Sequence, residues 1–102
     1  MIQRVAPGEK LWIVTYDLPS SISFRSKRRK FYRRIHKYLR EHGGEAVWMT
    51  MSTIVTRDKE FAEYVMKLIG SLKMLEARAL MFEAYMVCSI GPINLSGLDD
   101  SI

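Results

Sequence analysis

The chain has 102 residues, 48% hydrophobic and 26% charged, with sixteen Lys and Arg against eleven Asp and Glu for a net charge of +5. That balance excludes a disordered or fibrous chain and allows one modest core, so a single domain over residues 1–102 is expected, its core spanning about 11–88. Cys88 is the lone cysteine, which excludes an intrachain disulfide and cysteine-pair zinc sites; no apolar run nears the roughly 18 residues of a membrane crossing, so a cytoplasmic protein with no membrane partner is expected.

Residues 1 to 10 carry no period, and Pro7-Gly8 reads as a turn into a first strand, Leu11 to Asp17. The continuous apolar run of that strand predicts burial on both faces and a central place in a sheet. Pro19 ends it, and Ser20 to Ser26 reads as a loop in which Ser23 or Ser26 caps the next element. A helix is expected from about Ser26 to His42, with Gly43-Gly44 as its stop. Eight of the fourteen residues from Lys27 to Arg40 are Lys or Arg and none is acidic, while Phe31, Ile35, Tyr38 and Leu39 recur at helical spacing. Such a helix has an apolar back and a cationic front. Surface helices usually intersperse both signs, because like charges repel and i,i+4 acid partners give support. Here no acid lies between Asp17 and Glu41, so a polyanion is the matching counter-charge. Nucleic acid is the leading candidate, with a solvated face and an acidic membrane surface as the alternatives.

From Glu45 to Val55 the pattern turns to period two, either one curved strand or two strands divided by a bend near Thr50 to Ser52. Thr56 is the expected cap of a second helix, whose apolar stripe is Phe61, Tyr64, Val65, Leu68, Ile69 and Leu72. A last strand is expected over about Glu76 to Cys88, central because both its faces are apolar. Glu83 within it needs an ion-pair partner, from Arg78 or a second subunit. Residues 89–102 form a tail with no place in a monomeric core and are expected to contact a partner subunit.

This order predicts an α+β, ferredoxin-like βαββαβ fold: an antiparallel sheet with two helices on one face. The other face also carries large apolar side chains, so a homodimer through it is expected. Arg25, Lys27, Arg28, Arg29, Arg33, Arg34, Lys37 and Arg40 are the candidate phosphate contacts, and the excess of arginine suits bidentate phosphate recognition. Contacts of this kind carry no sequence information and weaken with salt. Cations beside one positioned acid, Asp17, suggest phosphodiester chemistry; equally, Asp17 ends a strand and caps a turn beside Pro19. His36 and His42 are six apart and do not share a face, so a two-histidine metal site is not expected; His36 reads as a surface base and His42 as a helix-end residue. Tyr16, Trp12, Trp48 and Phe82 read as core or dimer packing before any contact with phosphate or base.

Tyr16-Asp17-Leu18 at the end of strand one, a basic helix closing on Leu39 and then glycine, and a Val47-x-x-Thr50 strand three residues after Gly44 together resemble the CRISPR-associated second core adaptation protein family. The resemblance spans about residues 11 to 88. It implies a ferredoxin-fold homodimer in which the Asp17 carboxylates of two subunits share a weakly bound divalent cation such as Mg2+. It also implies metal-dependent cleavage of RNA or DNA, or a duplex-bridging role beside the CRISPR integrase, with Asp17 catalytic and Tyr16 and Thr50 accessory. Departures are visible. The loop after Asp17 reads Pro19-Ser20-Ser21-Ile22-Ser23 where the family often has a second acid, and Val47-Trp48-Met49-Thr50-Met51-Ser52 replaces the common Val-Gln-x-Ser-Val-Phe. Two rivals stay open: a non-catalytic nucleic-acid-binding module, and a structural partner whose basic helix docks on an acidic protein.

Overall fold

Leu11 to Thr15 are aliphatic, aromatic or β-branched without interruption, residues that suit a pleated, half-buried surface. In the computed structural model, which describes residues 3–42, 45–74 and 76–95, they lie in strand β2, Lys10–Asp17, after a two-residue strand β1, Gln3–Arg4. A 3-10 turn, Ile22–Phe24, leads straight into helix α1, Arg25–His42. The serine cap falls elsewhere than expected: Ser21 accepts a hydrogen bond from the Ser23 backbone N–H at 3.3 Å, Ser23 sits inside the 3-10 turn, and Ser26 is already within α1. The stop at Gly43-Gly44 lies outside the described residues.

The period-two segment divides as β3, Ala46–Thr50, and β4, Thr53–Thr56, about the turn Met51-Ser52, with a shift of register between Trp48 and Thr50. Helix α2, Lys59–Ser71, is capped by Asp58, whose carboxylate accepts from the Glu60 and Phe61 backbone N–H groups. Thr56 was the expected cap, but its buried hydroxyl donates to the Glu45 carbonyl at 2.5 Å and accepts from the Asp58 N–H at 3.0 Å, one residue pair too early to cap. Strand β5, Arg78–Tyr85, and a short β6, Asn94–Leu95, complete the chain.

The main sheet runs β3-β4-β2-β5, antiparallel throughout. Phe31, Ile35 and Leu39 of α1 and Phe61, Ala62, Val65, Leu68 and Ile69 of α2 share one core with Val14, Tyr16, Ala46 and Ile54, so both helices cover one face. The fold is α+β and compatible with a ferredoxin-like arrangement. Strand β2 is central as expected, but β5 is an edge strand. Its apolar residues on both faces did not mean neighbours on both sides: Ala79 and Met81 pack against the helix-covered core, while Leu80 and Phe82 on the opposite face stay 66% and 45% exposed.

The tail also departs from expectation. Strand β6 pairs with β1, and Leu95, fully buried, joins Val5, Leu11 and Val55 in a second cluster on the face away from the helices. Ile93 to Leu95 therefore has a place in the monomer, and residues 96–102 lie outside the described residues. Glu83 is exposed and pairs with Lys10 rather than Arg78. Edge placement of β5 spares it the desolvation that a central strand would impose. Arg57 ties three segments together, reaching the Glu9 and Glu45 carboxylates and the Arg4 carbonyl. The Arg57 hydrogen bond, with a second from the Ala6 N–H, holds the Glu9 carboxyl below its ordinary range.

Candidate nucleic-acid interface

On a helix, side chains three, four and seven positions apart share a face. Phe31, Ile35 and Leu39 therefore fix which way α1 points, and all three are buried. The stripe directly opposite carries Arg29, Lys30, Arg33, Arg34, Lys37 and Arg40, which line a broad groove of about 1080 Å³ along the helix. Lys37 reaches Glu41 at 3.9 Å. Among the described residues Arg25, Arg29, Lys30, Arg33, Arg34 and Arg40 form no ion pair, so the front of α1 is a row of cations held at helical spacing by its back.

Two of the expected phosphate contacts face elsewhere. Lys27 and Arg28 stand four and three positions before Phe31, on the inner flank. The Lys27 ammonium donates to the Lys73 carbonyl at 3.2 Å, and Arg28 donates to the Pro19 and Ser21 carbonyls, clamping the loop ahead of the helix. Lys30, left aside from the expected contacts, belongs to the outer stripe. His36 is half-buried with its ring stacked on Trp48 at 5.7 Å, and His42 stacks on Tyr38 at 4.1 Å near the end of the helix.

Asp17 ends β2 with its side chain 70% exposed, and its Oδ2 lies 3.3 Å from the Arg78 guanidinium directly across the β2–β5 register. It borders three depressions, one of them with Thr15, Ala77, Arg78 and Leu80 along the β2–β5 pair. Of the other two, one is lined also by Ser20, Arg28, Tyr32, Met51 and Ser52; the other by Ser20, Ser21, Glu76 and Arg78. Glu76 and Arg78 were missed as companions of Asp17 in the sequence, where they stand some sixty residues away; the antiparallel register of the first and last main strands is what brings Arg78 back. Thr50 lines none of the three: after the register shift its hydroxyl accepts from the Ser52 N–H at 3.1 Å within the hairpin turn.

Tyr16 is 5% exposed, and its hydroxyl donates to the Met51 carbonyl at 2.9 Å while accepting from the Trp48 indole N–H at 3.0 Å. That places it as the peg that holds the hairpin turn against the end of β2. Burial pushes its hydroxyl pKa upward, partly offset by the Trp48 hydrogen bond. An acid whose pKa is raised by folding keeps its proton where the unfolded chain releases it. Stability should therefore fall as pH rises above the unfolded value near 10. Tyr16→Phe should lose about 1–3 kcal/mol in urea denaturation at pH 7, by removing the hydrogen bonds that the hydroxyl makes to the Met51 carbonyl and from the Trp48 N–H. It should also weaken the alkaline loss, and a variant with native stability and an unchanged pH profile would show the peg to be idle.

Asp17 is a single carboxylate already paired with Arg78, and among the described residues no three His, Cys, Asp or Glu side chains gather. No helix of the described residues is long and apolar enough to cross a membrane. A scan against protein-family models, a search of curated proteins and a search of solved structures each found no match to the chain.

Proposed function

We propose that this protein binds the phosphodiester backbone of RNA or DNA through the outer stripe of α1. The observation that carries the reading is the row Arg29, Lys30, Arg33, Arg34 and Arg40, exposed on one helix face without an acidic partner among the described residues. A stripe of cations on a solvent-facing helix meets phosphates, which carry no base identity, and the Tyr38 ring is already stacked between His42 and Tyr64. Binding is therefore tolerant of sequence. The resemblance of residues 11 to 88 extends the reading to a CRISPR adaptation protein that bridges duplexes as a homodimer beside the integrase. Exposed Met49, Leu80 and Phe82 on the open sheet face support a second copy there.

The test is fluorescence anisotropy of a labelled 20-base-pair DNA, a matching RNA duplex and single strands at several salt concentrations. With five or six phosphates engaged, log affinity should fall with log salt at a slope of about −5 for the DNA duplex. A slope near zero, or no binding at about 50 mM salt, would sink the proposal. A second reading, metal-dependent cleavage, rests on the exposed Asp17 bordering a depression with Glu76, and it needs Arg78 to release the Asp17 carboxylate. It requires a further carboxylate, from Glu76 or from a second copy, and its signature in the same samples is strand scission lost with chelator and with Asp17→Asn.

A further inference from the structure

We propose that Arg78 is the resident cation of Asp17, a positioning residue that holds the carboxylate and keeps divalent metal ions off it. The argument starts from register. Asp17 and Arg78 are directly opposed across antiparallel β2 and β5, where neighbouring pairs alternate faces. Thr15 with Leu80 and Ile13 with Phe82 are the preceding pairs on their side, so Asp17 and Arg78 project from the sheet face away from the helices. The guanidinium Nη2 is 3.3 Å from Oδ2, and both side chains are mostly in solvent, 82% and 70% exposed.

An exposed pair of this kind contributes little to stability. Its consequence is competitive. A divalent ion bound by one carboxylate keeps most of its waters and binds weakly, so a weak interaction is enough to displace it. A fixed positive charge on the same carboxylate both occupies an oxygen and repels the incoming ion, which in water at about 5 Å separation lowers affinity by about tenfold. The loop Leu18 to Ser23 offers no acid that would tip the balance back, and Glu76, the other carboxylate bordering this depression, shares it with Arg78 as well. The strand end is thus built as an arginine–aspartate pair and not as an open cation site.

The experiment titrates Mn2+ into the isotope-labelled full chain and follows paramagnetic broadening of the Asp17 and Leu18 amide signals. Arg78→Ala should broaden at about tenfold lower Mn2+ than the native chain, Arg78→Lys should stay close to native, and adding Asp17→Asn to Arg78→Ala should abolish the effect. Because the pair is exposed, each variant should keep the native spectrum elsewhere, which the same data verify. Equal Mn2+ sensitivity of the native chain and Arg78→Ala would overturn the proposal, as would broadening that survives Asp17→Asn. This inference stands apart from the grip of α1. Duplex affinity measured on the same native sample tests that grip separately, and its absence would leave the Mn2+ comparison fully readable.

Discussion

Replacing Arg29, Arg33, Arg34 and Arg40 together by glutamine is expected to lower duplex DNA affinity by three to four decades at about 0.1 M salt, and to flatten the salt slope by about 3.5. The magnitude follows from counterion release. Each phosphate neutralised by a cation contributes about 0.9 to the slope, so four lost contacts remove about 3.6, and the affinity gap closes as salt approaches about 1 M. Glutamine keeps helix propensity close to that of arginine, and these four side chains are exposed, so the fold should be retained. Anisotropy at four salt concentrations decides it. A loss of affinity with the slope unchanged would mean that the variant damaged something other than phosphate contacts.

A matched control separates position from charge. Lys27 carries the same charge but lies on the inner flank, its ammonium on the Lys73 carbonyl. Lys27→Gln should therefore change duplex affinity by no more than about twofold, whereas each residue of the outer stripe should change it several-fold. If Lys27→Gln matched an outer-stripe variant, only the total charge of the protein would matter and the stripe would not be the interface.

Lys27 and Arg28 belong to the same dense basic run as the outer stripe, yet their spacing to Phe31, four and three positions, turns them to the inner flank. The elements with a sustained period were legible: α1 and α2 from 3.6-residue stripes and β2 from its apolar run, while the period-two segment left one curved strand or two open until the turn at Met51-Ser52 decided for two. The elements without a period were not. Strands β1 and β6 are two residues each, and only the burial of Leu95 against Val5 and Leu11 reveals why they pair. The edge position of β5 was hidden because side-chain alternation reports what lies above and below a strand, not what lies beside it. The same limit concealed Arg78 as the partner of Asp17. Thr56 and Asp58 are both residue types that cap helices, and the Glu45 carbonyl, a tertiary neighbour, decided between them by taking the Thr56 hydroxyl.

Phe31→Ala should cost about 3–5 kcal/mol, a loss comparable to the whole stability of many domains of this size. The ring is fully buried and meets Tyr16 at 5.2 Å and Tyr32 at 5.1 Å, both edge-on, so truncation removes apolar burial and two favourable ring contacts and leaves a cavity. Ile35 and Leu39 are the other buried side chains of α1. Its front repels itself, with Lys37–Glu41 the one acidic relief among the described residues, so the helix is kept in place by Phe31, Ile35 and Leu39. Thermal unfolding followed by circular dichroism should show the midpoint lowered by about 15–30 °C. A polyanion that relieves the repulsion and binds only the folded chain should raise that midpoint again, by the equivalent of about 2.7 kcal/mol at a hundredfold excess over Kd. Rescue by duplex DNA at low salt, and its loss at high salt, would tie the packing of the helix back to the charge on its front. A drop in the midpoint with no rescue would show that Phe31 supports the fold while α1 is not where nucleic acid binds.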